Sequence, residues 1–227
     1  MQPNGPVMLV FDEHDVEPAV ESPRPIPEGV QNPLAIKYRD PSAEIEHRRR
    51  NLELNAVRDG IRVNLADHGP HAGGQVRYLG GTGRHLTRQP AKNASADKDA
   101  ETFPHRYDLI VNRTLAQRDQ YATLVHELAH VYCGHLGSPD PDKYWPHRPE
   151  VQHDVAELEA ESVVHMVLAR IDPNVEMGGY IGGHLKDGAV PPNVSLNAMM
   201  KAAGLIEEMG EGRLPRRKLK GSSGSAA

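Results

Sequence analysis

Residues 121–137 read Tyr-Ala-Thr-Leu-Val-His-Glu-Leu-Ala-His-Val-Tyr-Cys-Gly-His-Leu-Gly, and this stretch decides the fold that we expect. We predict a long helix here, from about Thr114 to Leu136, because apolar residues flank the charged ones and Gly and Pro follow. Positions i and i+4 of a helix lie on one face, so His126 and His130 can each direct a ring nitrogen at one metal ion. The spacing therefore predicts a metal site on this helix.

The glutamate inside this motif, Glu127, projects about 100° away from His126 around the helix. It would lie beside a bound metal without ligating it, where it could take a proton from the attacking water and pass it to a leaving amine. The alternative is a chance match, since the chain has 13 histidines. The apolar flanks argue against chance, because three ionisable groups on a buried helix are costly unless something binds them.

A zinc site needs a third protein ligand and an open position for water. A second predicted helix, from about Glu150 to Ile171, carries Glu157 and Glu161 one turn apart among apolar residues, whereas Glu159 falls on the side expected to be wetter. On its own, either of the first two would be interpreted as part of a solvated face. We expect Glu157 to ligate Zn²⁺ and Glu161 to orient a histidine ligand, with the reverse assignment left open.

Several further side chains are weaker candidates. Cys133 could approach the metal from the motif helix, although a buried structural thiol is the simpler interpretation. Three residues could donate to the oxyanion of a reaction intermediate, although each is also explained by packing or exposure: His165, Tyr180 and His184. Three histidines are expected on the surface: His135, His147 and His153.

The rest of the chain predicts an α+β fold, with a small, mostly antiparallel sheet packed on the motif helix and further helices around it. A helix is expected from Ser42 to about Asp59, ended by Gly60. Other expected elements are strands at 5–11, 61–65, 75–79 and 107–112, a loop at 83–101, and helices near 178–186 and 195–209. We expect one domain over residues 1–209, with a proline-rich loop at 18–41, and a disordered tail at 210–227.

Composition limits the classes of protein that fit. The formal net charge is −5, and there are only two Phe and one Trp, which argues against nucleic acid as the main partner. The single cysteine cannot form an internal disulfide, and no apolar run reaches about 18 residues. No signal peptide is visible, so we expect a cytoplasmic protein without a membrane span.

The motif helix resembles the active-site helix of the ImmA/IrrE-type metallopeptidases and of the related ArdC-like proteins. The stretch 157–164, Glu-Leu-Glu-Ala-Glu-Ser-Val-Val, is similar to their Glu-x-x-Ala-polar segment. That likeness implies a zincin-like fold and Glu157 as the third zinc ligand. The resemblance covers roughly residues 5–190 and is specific in the two helices. ArdC-like proteins carry a single-stranded-DNA-binding segment ahead of the peptidase part, and we expect most of it to have no counterpart here, so the resemblance does not extend to DNA binding.

The leading hypothesis is a zinc-dependent endopeptidase of the zincin type, gluzincin-like in its ligands. The resemblance implies a protein substrate, such as a transcriptional repressor. The alternative is a DNA-associated anti-restriction or plasmid-maintenance protein with a structural zinc, which a fourth ligand from Cys133 would favour. A third possibility is a zincin scaffold that has lost activity, against which the intact Glu127 argues.

Overall fold

The computed structural model describes residues 41–67, 69, 73–81, 83–88, 101–140, 144–172 and 190–213, all within one compact unit of the chain. Four predictions lie wholly or largely outside these residues: the strand at 5–11, the proline-rich loop at 18–41, the helix near 178–186 and the tail at 210–227. The domain boundaries at 1–209 therefore stay a prediction.

The described residues form a mixed α+β fold with four α-helices and two small sheets, which confirms the predicted class. In chain order the elements are helix α1 (Ser42–Ala56), strands β1 (Ile61–Ala66), β2 (Gly74–Tyr78), β3 (His85–Arg88), β4 (Glu101–Pro104) and β5 (Tyr107–Asn112), and helices α2 (Gln117–Tyr132), α3 (His153–Ala169) and α4 (Leu196–Gly210). None of these helices is long and apolar enough to cross a bilayer.

Helix α1 follows the sequence prediction closely. Its buried side chains include Ile45, Leu52 and Ala56, which recur at helical spacing and pack into the core. A single 3-10 turn continues the chain to Asp59, and Gly60 ends it in the left-handed conformation, at φ 75°. The chain then enters β1 directly.

The main sheet has the strand order β1-β5-β2. β5 is buried along most of its length, with Leu109 and Val111 in the core. β2 runs antiparallel to β5, but β1 runs parallel to it, with Ile61 opposite Tyr107. The prediction that 61–65 joins an antiparallel sheet is therefore wrong for this strand, because β5 inserts between two strands that follow one another in sequence.

The predicted loop at 83–101 is wrong at both ends. β3 and β4 pair antiparallel as a separate two-stranded sheet, with Leu86 opposite Phe103. Most other residues of the two strands are exposed, so backbone hydrogen bonds rather than an apolar face hold the pair together. A short and mostly polar pair leaves little hydrophobic pattern in the sequence.

Helix α2 is the central helix of the described unit. It packs against the other three helices and against β2 and β5, with Leu124, Leu128 and Val131 buried. Helix α3 packs against both α2 and α4, so two of its faces are covered. Glu159 is consequently fully buried, and the prediction that it lies on the wetter side of the helix is wrong.

Candidate metal centre

His126 and His130 lie one turn apart in the C-terminal half of α2. Both side chains are more than four-fifths buried, and their Nε2 atoms are 3.0 Å apart. The i, i+4 spacing puts both rings on one face of the helix, and the packing of α2 against α3 directs that face toward α3. The two rings therefore open into the same space.

Helix α3 brings a carboxylate to these two imidazoles. Glu157 Oε2 lies 3.4 Å from His126 Nε2, and Glu157 Oε1 lies 3.4 Å from His130 Nε2. One donor atom from each of the three residues lies within 4.8 Å of the other two. Ligand atoms around a tetrahedral zinc are roughly 3.3 Å apart, so these three side chains could reach one ion with small movements.

The second glutamate of the pair occupies a different position. Glu161 lies one turn further along α3, and its Oε1 is 3.2 Å from His126 Nδ1. It therefore contacts the ring nitrogen of His126 that Glu157 and His130 do not. This geometry favours Glu157 as a ligand and Glu161 as the acceptor that orients His126.

The two histidines carry opposite pKa shifts. Burial lowers the pKa of His126, but hydrogen bonds to Glu157 and Glu161 outweigh it and raise this pKa to about 10. Burial and the charge of His126 together hold the pKa of His130 well below its usual range. The hydrogen bond from His126 lowers the pKa of Glu157. The metal-free site at neutral pH thus holds a charged His126, a neutral His130 and an ionised Glu157.

Glu127 lies between this group and the main sheet, close enough to His126 and Glu157 for their charges to act on it. Its carboxylate accepts a hydrogen bond from the backbone N–H of Val76 in β2, and it is only 8 % exposed. Burial, followed by the nearby charge of Glu157, raises the pKa of Glu127 to about 7, against an opposing effect of His126. A carboxylate with a pKa near neutrality can both accept and return a proton at physiological pH.

The chemistry of these donors fits a divalent cation. Two imidazole nitrogens and one carboxylate oxygen converge, and nitrogen and oxygen donors of this kind suit zinc and similar ions. The 3.0 Å approach of two Nε2 atoms needs a proton between them in the metal-free protein. A metal ion could replace that proton, because the Nε2 lone pairs of His126 and His130 and the carboxylate of Glu157 would then all face its positive charge.

A second group of potential donors lies at the end of α2: Cys133, His135 and Glu159. Arg148 already neutralises this group, since its guanidinium binds both carboxylate oxygens of Glu159, at 2.7 and 2.8 Å. Burial raises the pKa of the Cys133 thiol to about 12, so the thiolate that would ligate a metal is disfavoured. We interpret this group as a buried ion pair. Cys133 lies close to His135 and Glu159, and it does not belong to the set of donor atoms formed by His126, His130 and Glu157.

The end of α2 explains what the sequence prediction missed. The helix stops at Tyr132, four residues before the predicted end, and Gly134 follows in the left-handed conformation, at φ 85°. The chain therefore turns back, and His135, predicted on the surface, has a side chain only 4 % exposed and contacts His130. The signal that could have found this turn is Gly134 itself, two residues past an apolar helix.

The remaining candidates are less informative. His147 and His153 are exposed, as predicted. His165 is partly buried, and within the described part of the chain its Nδ1 atom has no hydrogen-bond partner. Tyr180 and His184 lie outside the described residues.

A mixed α+β unit with two histidines and a glutamate around one point, and a buried glutamate beside them, is the arrangement expected of a metallopeptidase. The family model Peptidase_M78, described as the IrrE N-terminal-like domain, matches residues 82–160. These residues make up about a third of the chain, and over them it is similar to that domain, which supports the ImmA/IrrE family and suggests a metallopeptidase of that type. No curated protein and no solved structure matches the chain.

The matched residues contain both histidines of the motif, Glu127 and Glu157, and stop just before Glu161. They also contain the buried ion pair of Glu159 and Arg148. The match therefore covers the region that carries the candidate site.

Proposed function

We propose that the chain is a zinc-dependent endopeptidase with a zincin-like fold, in which His126, His130 and Glu157 hold the metal. The observation that carries this proposal is the convergence of their three donor atoms within 4.8 Å, in a region that matches a peptidase family model. Glu161 orients His126 through Nδ1. The zincin-like fold and the identity of the metal belong to the proposal.

Zinc, when bound, would polarise the scissile carbonyl and make the attacking water more acidic. Glu127 takes the proton from this water and later gives it to the leaving amine. Two properties of Glu127 support this role. The hydrogen bond from Val76 orients its carboxylate, and its raised pKa of about 7 lets the carboxylate exchange a proton at neutral pH.

The outer edge of β2 supports an extended peptide as the substrate. Among the described residues no strand pairs with this edge, and Val76 of β2 already contacts the carboxylate of Glu127. A peptide that added to this edge as a further strand would pass alongside Glu127. By the family relationship, we propose a regulatory protein such as a transcriptional repressor as the substrate.

The replacement Glu127→Gln tests the chemistry. We expect the variant to keep about one zinc per chain by elemental analysis and to lose at least about 100-fold in cleavage rate, because general acid–base catalysis contributes at least that much. Cleavage can be followed by labelling new protein N-termini in a cell lysate incubated with wild type or variant. The exposed Glu150→Gln in the α2–α3 connection is the matched control and should cleave at the wild-type rate.

Two results would contradict the proposal. One is wild-type protein that binds no zinc or other divalent metal after reconstitution. The other is Glu127→Gln protein that retains its zinc and yields the same new N-termini at the wild-type rate.

A further inference from the structure

We propose that His135 and Glu159 fix the tautomer of His130, so that the Nε2 atom of this ring is the one free to bind metal. Both would be positioning residues that act through His130, and the inference rests on the proposed function for its metal-binding consequence. It is carried by a continuous line of contacts from His130 to His135, Glu159 and Arg148.

The end of α2 creates the first contact in this line. The N–H of Gly134 donates to the carbonyl of Val131, and the N–H of His135 donates to the carbonyl of His130, each at 3.0 Å. These are the two hydrogen bonds of a Schellman motif, which brings the residue after the glycine back over the last turn of its helix. His135 is thereby placed against His130, with their Nδ1 atoms 3.0 Å apart.

Gly134 has two reasons to be glycine. Its φ of 85° lies in the left-handed region, which side chains with a Cβ atom rarely adopt. A Cβ atom at this position would also collide with the backbone carbonyl of Pro146. The turn that presents His135 to His130 therefore depends on this residue.

Glu159 determines which ring nitrogen of His135 carries a proton. Its carboxylate accepts hydrogen bonds from the guanidinium of Arg148, at 2.7 and 2.8 Å, and from the backbone N–H of Ser195, at 2.7 Å. A carboxylate held by Arg148 is ionised and can only accept, so the His135 Nε2 atom at 2.9 Å must carry a proton and donate it.

The ring nitrogen of His135 that carries a proton then determines which ring nitrogen of His130 carries one. An uncharged imidazole that donates from Nε2 has a lone pair on its other nitrogen, so the ring form of His135 that donates to Glu159 in this way presents Nδ1 to His130 as an acceptor. The atom that faces this acceptor, His130 Nδ1, must donate a proton to it. The remaining nitrogen, His130 Nε2, is left with a free lone pair, and it is the atom that faces His126 and Glu157.

The metal-free protein provides a direct test, because the tautomer can be measured without metal or substrate. In wild-type protein labelled with ¹⁵N in its histidines, we expect long-range ¹H–¹⁵N spectra to show His130 protonated at Nδ1. Protonation of His130 at Nε2 in this spectrum would overturn the inference. In the His135→Ala protein, we expect the signature to change to a mixture of the two tautomers.

Zinc affinity tests the consequence for the site. Loss of an outer partner of a histidine ligand costs about 10–100-fold in metal affinity, and we expect this loss in His135→Ala in a competition titration with a chromophoric chelator. His135→Asn keeps an acceptor close to the position of Nδ1 and should recover most of the affinity. A purely structural role would not distinguish these variants in this way.

His147→Ala is the matched control, because His147 lies in the same connection and contacts Ser138 rather than a proposed ligand. It should bind zinc like wild type. Wild-type affinity in His135→Ala would overturn the inference. Protonation at His130 Nδ1 in wild-type protein that binds no zinc would confirm the tautomer and contradict the proposed function, so the two failures can be told apart.

Discussion

At the scale of single residues, His126 carries a proton that it must lose before its Nε2 atom can bind a metal ion. His126 is charged because Glu157 and Glu161 contact both of its ring nitrogens. His130 is neutral because it is buried beside that charge. The three proposed ligands are therefore held together by a hydrogen-bonded proton in the absence of an ion.

Zinc binding should therefore release protons at neutral pH. The pKa of His126 is about 10, so between about pH 7 and 9 its proton must leave before Nε2 can ligate, and zinc affinity should rise about tenfold per pH unit. Glu127→Gln protein is the suitable sample, because Glu127, whose pKa of about 7 also lies in this range, is then absent.

Calorimetry in buffers of different ionisation enthalpy measures the number of protons released, and we expect about one per zinc at pH 7.5. Zinc affinity that stays constant from pH 7 to 9 would show that His126 is not protonated in the metal-free site. His147→Ala in the same background should leave the proton count unchanged, since His147 is exposed and does not contact a proposed ligand.

The sequence predicted these residues unequally well. His126, Glu127 and His130 follow from the spacing of one motif, and Glu157 and Glu161 follow from their place on the next helix. His135 and Glu159 could not be assigned in this way, because their roles depend on a helix end and on a third helix that covers the far side of α3. Periodicity describes one face of an isolated helix and does not show how many faces are covered.

At the scale of secondary-structure elements, the close approach of α2 to the main sheet depends on a glycine. A Cβ atom at Gly74, the first residue of β2, would lie 2.5 Å from Thr123 Cγ2 and 2.7 Å from the carbonyl oxygen of Ile110. It would also touch the side chain of Glu127, at 3.4 Å. The glycine therefore lets the helix that carries the candidate site pack directly on the strand.

Gly74→Ala should destabilise the protein and disturb Glu127. Overpacking of this kind typically costs about 1–3 kcal/mol, which chemical denaturation would measure as a lower free energy of unfolding. Gly204→Ala in α4 is the matched control, because open space surrounds this position and alanine favours a helix by up to about 1 kcal/mol. Equal stability of the two variants would contradict the proposed contact between α2 and β2.

The elements themselves were predictable, but their pairing was not. The sequence predicts all three strands of the main sheet, and β1 and β2 are indicated by alternation between glycine boundaries. Their order depends on β5, which pairs with β1 across 40 residues of intervening chain. Neither the direction of β1 nor the separate pair of β3 and β4 leaves a local signal, since both arise from backbone hydrogen bonds between distant segments.

At the scale of the whole described unit, Glu159 joins three separate parts of the chain. It binds His135 after α2, Arg148 in the connection to α3, and the N–H of Ser195 at the start of α4. Burial raises the pKa of this carboxyl, but these hydrogen bonds outweigh it and lower the pKa to about 2. A single buried carboxylate therefore links the candidate site to the C-terminal helix.

This ion pair should make the protein sensitive to acid. The folded-state pKa of Glu159 is lower than its ordinary value of 4.5, so its stabilising contribution is present above pH 4.5 and is lost as pH falls toward 2. The full contribution is about 2–3 kcal/mol, because one pKa unit corresponds to about 1.4 kcal/mol and part of the effect is offset in practice.

Urea unfolding between pH 5 and 3 measures this dependence. We expect the free energy of unfolding of wild type to fall more steeply with acid than that of Glu159→Gln, whose side chain does not titrate. Glu150→Gln is the control and should follow wild type, because Glu150 is exposed. Parallel curves for wild type and Glu159→Gln would show that the carboxylate contributes nothing to acid stability.

The amide of Ser195 extends this arrangement to the start of α4. The N–H of Ser195, the guanidinium of Arg148 and the ring of His135 all donate to the carboxylate of Glu159. If the start of α4 moved so that Ser195 no longer donated, this carboxylate would accept the hydrogen bond from His135 more strongly. The hydrogen bond between His135 and His130 would then change in strength without any direct contact at the candidate metal centre. The start of α4 is therefore coupled to the candidate metal centre through Glu159 and His135.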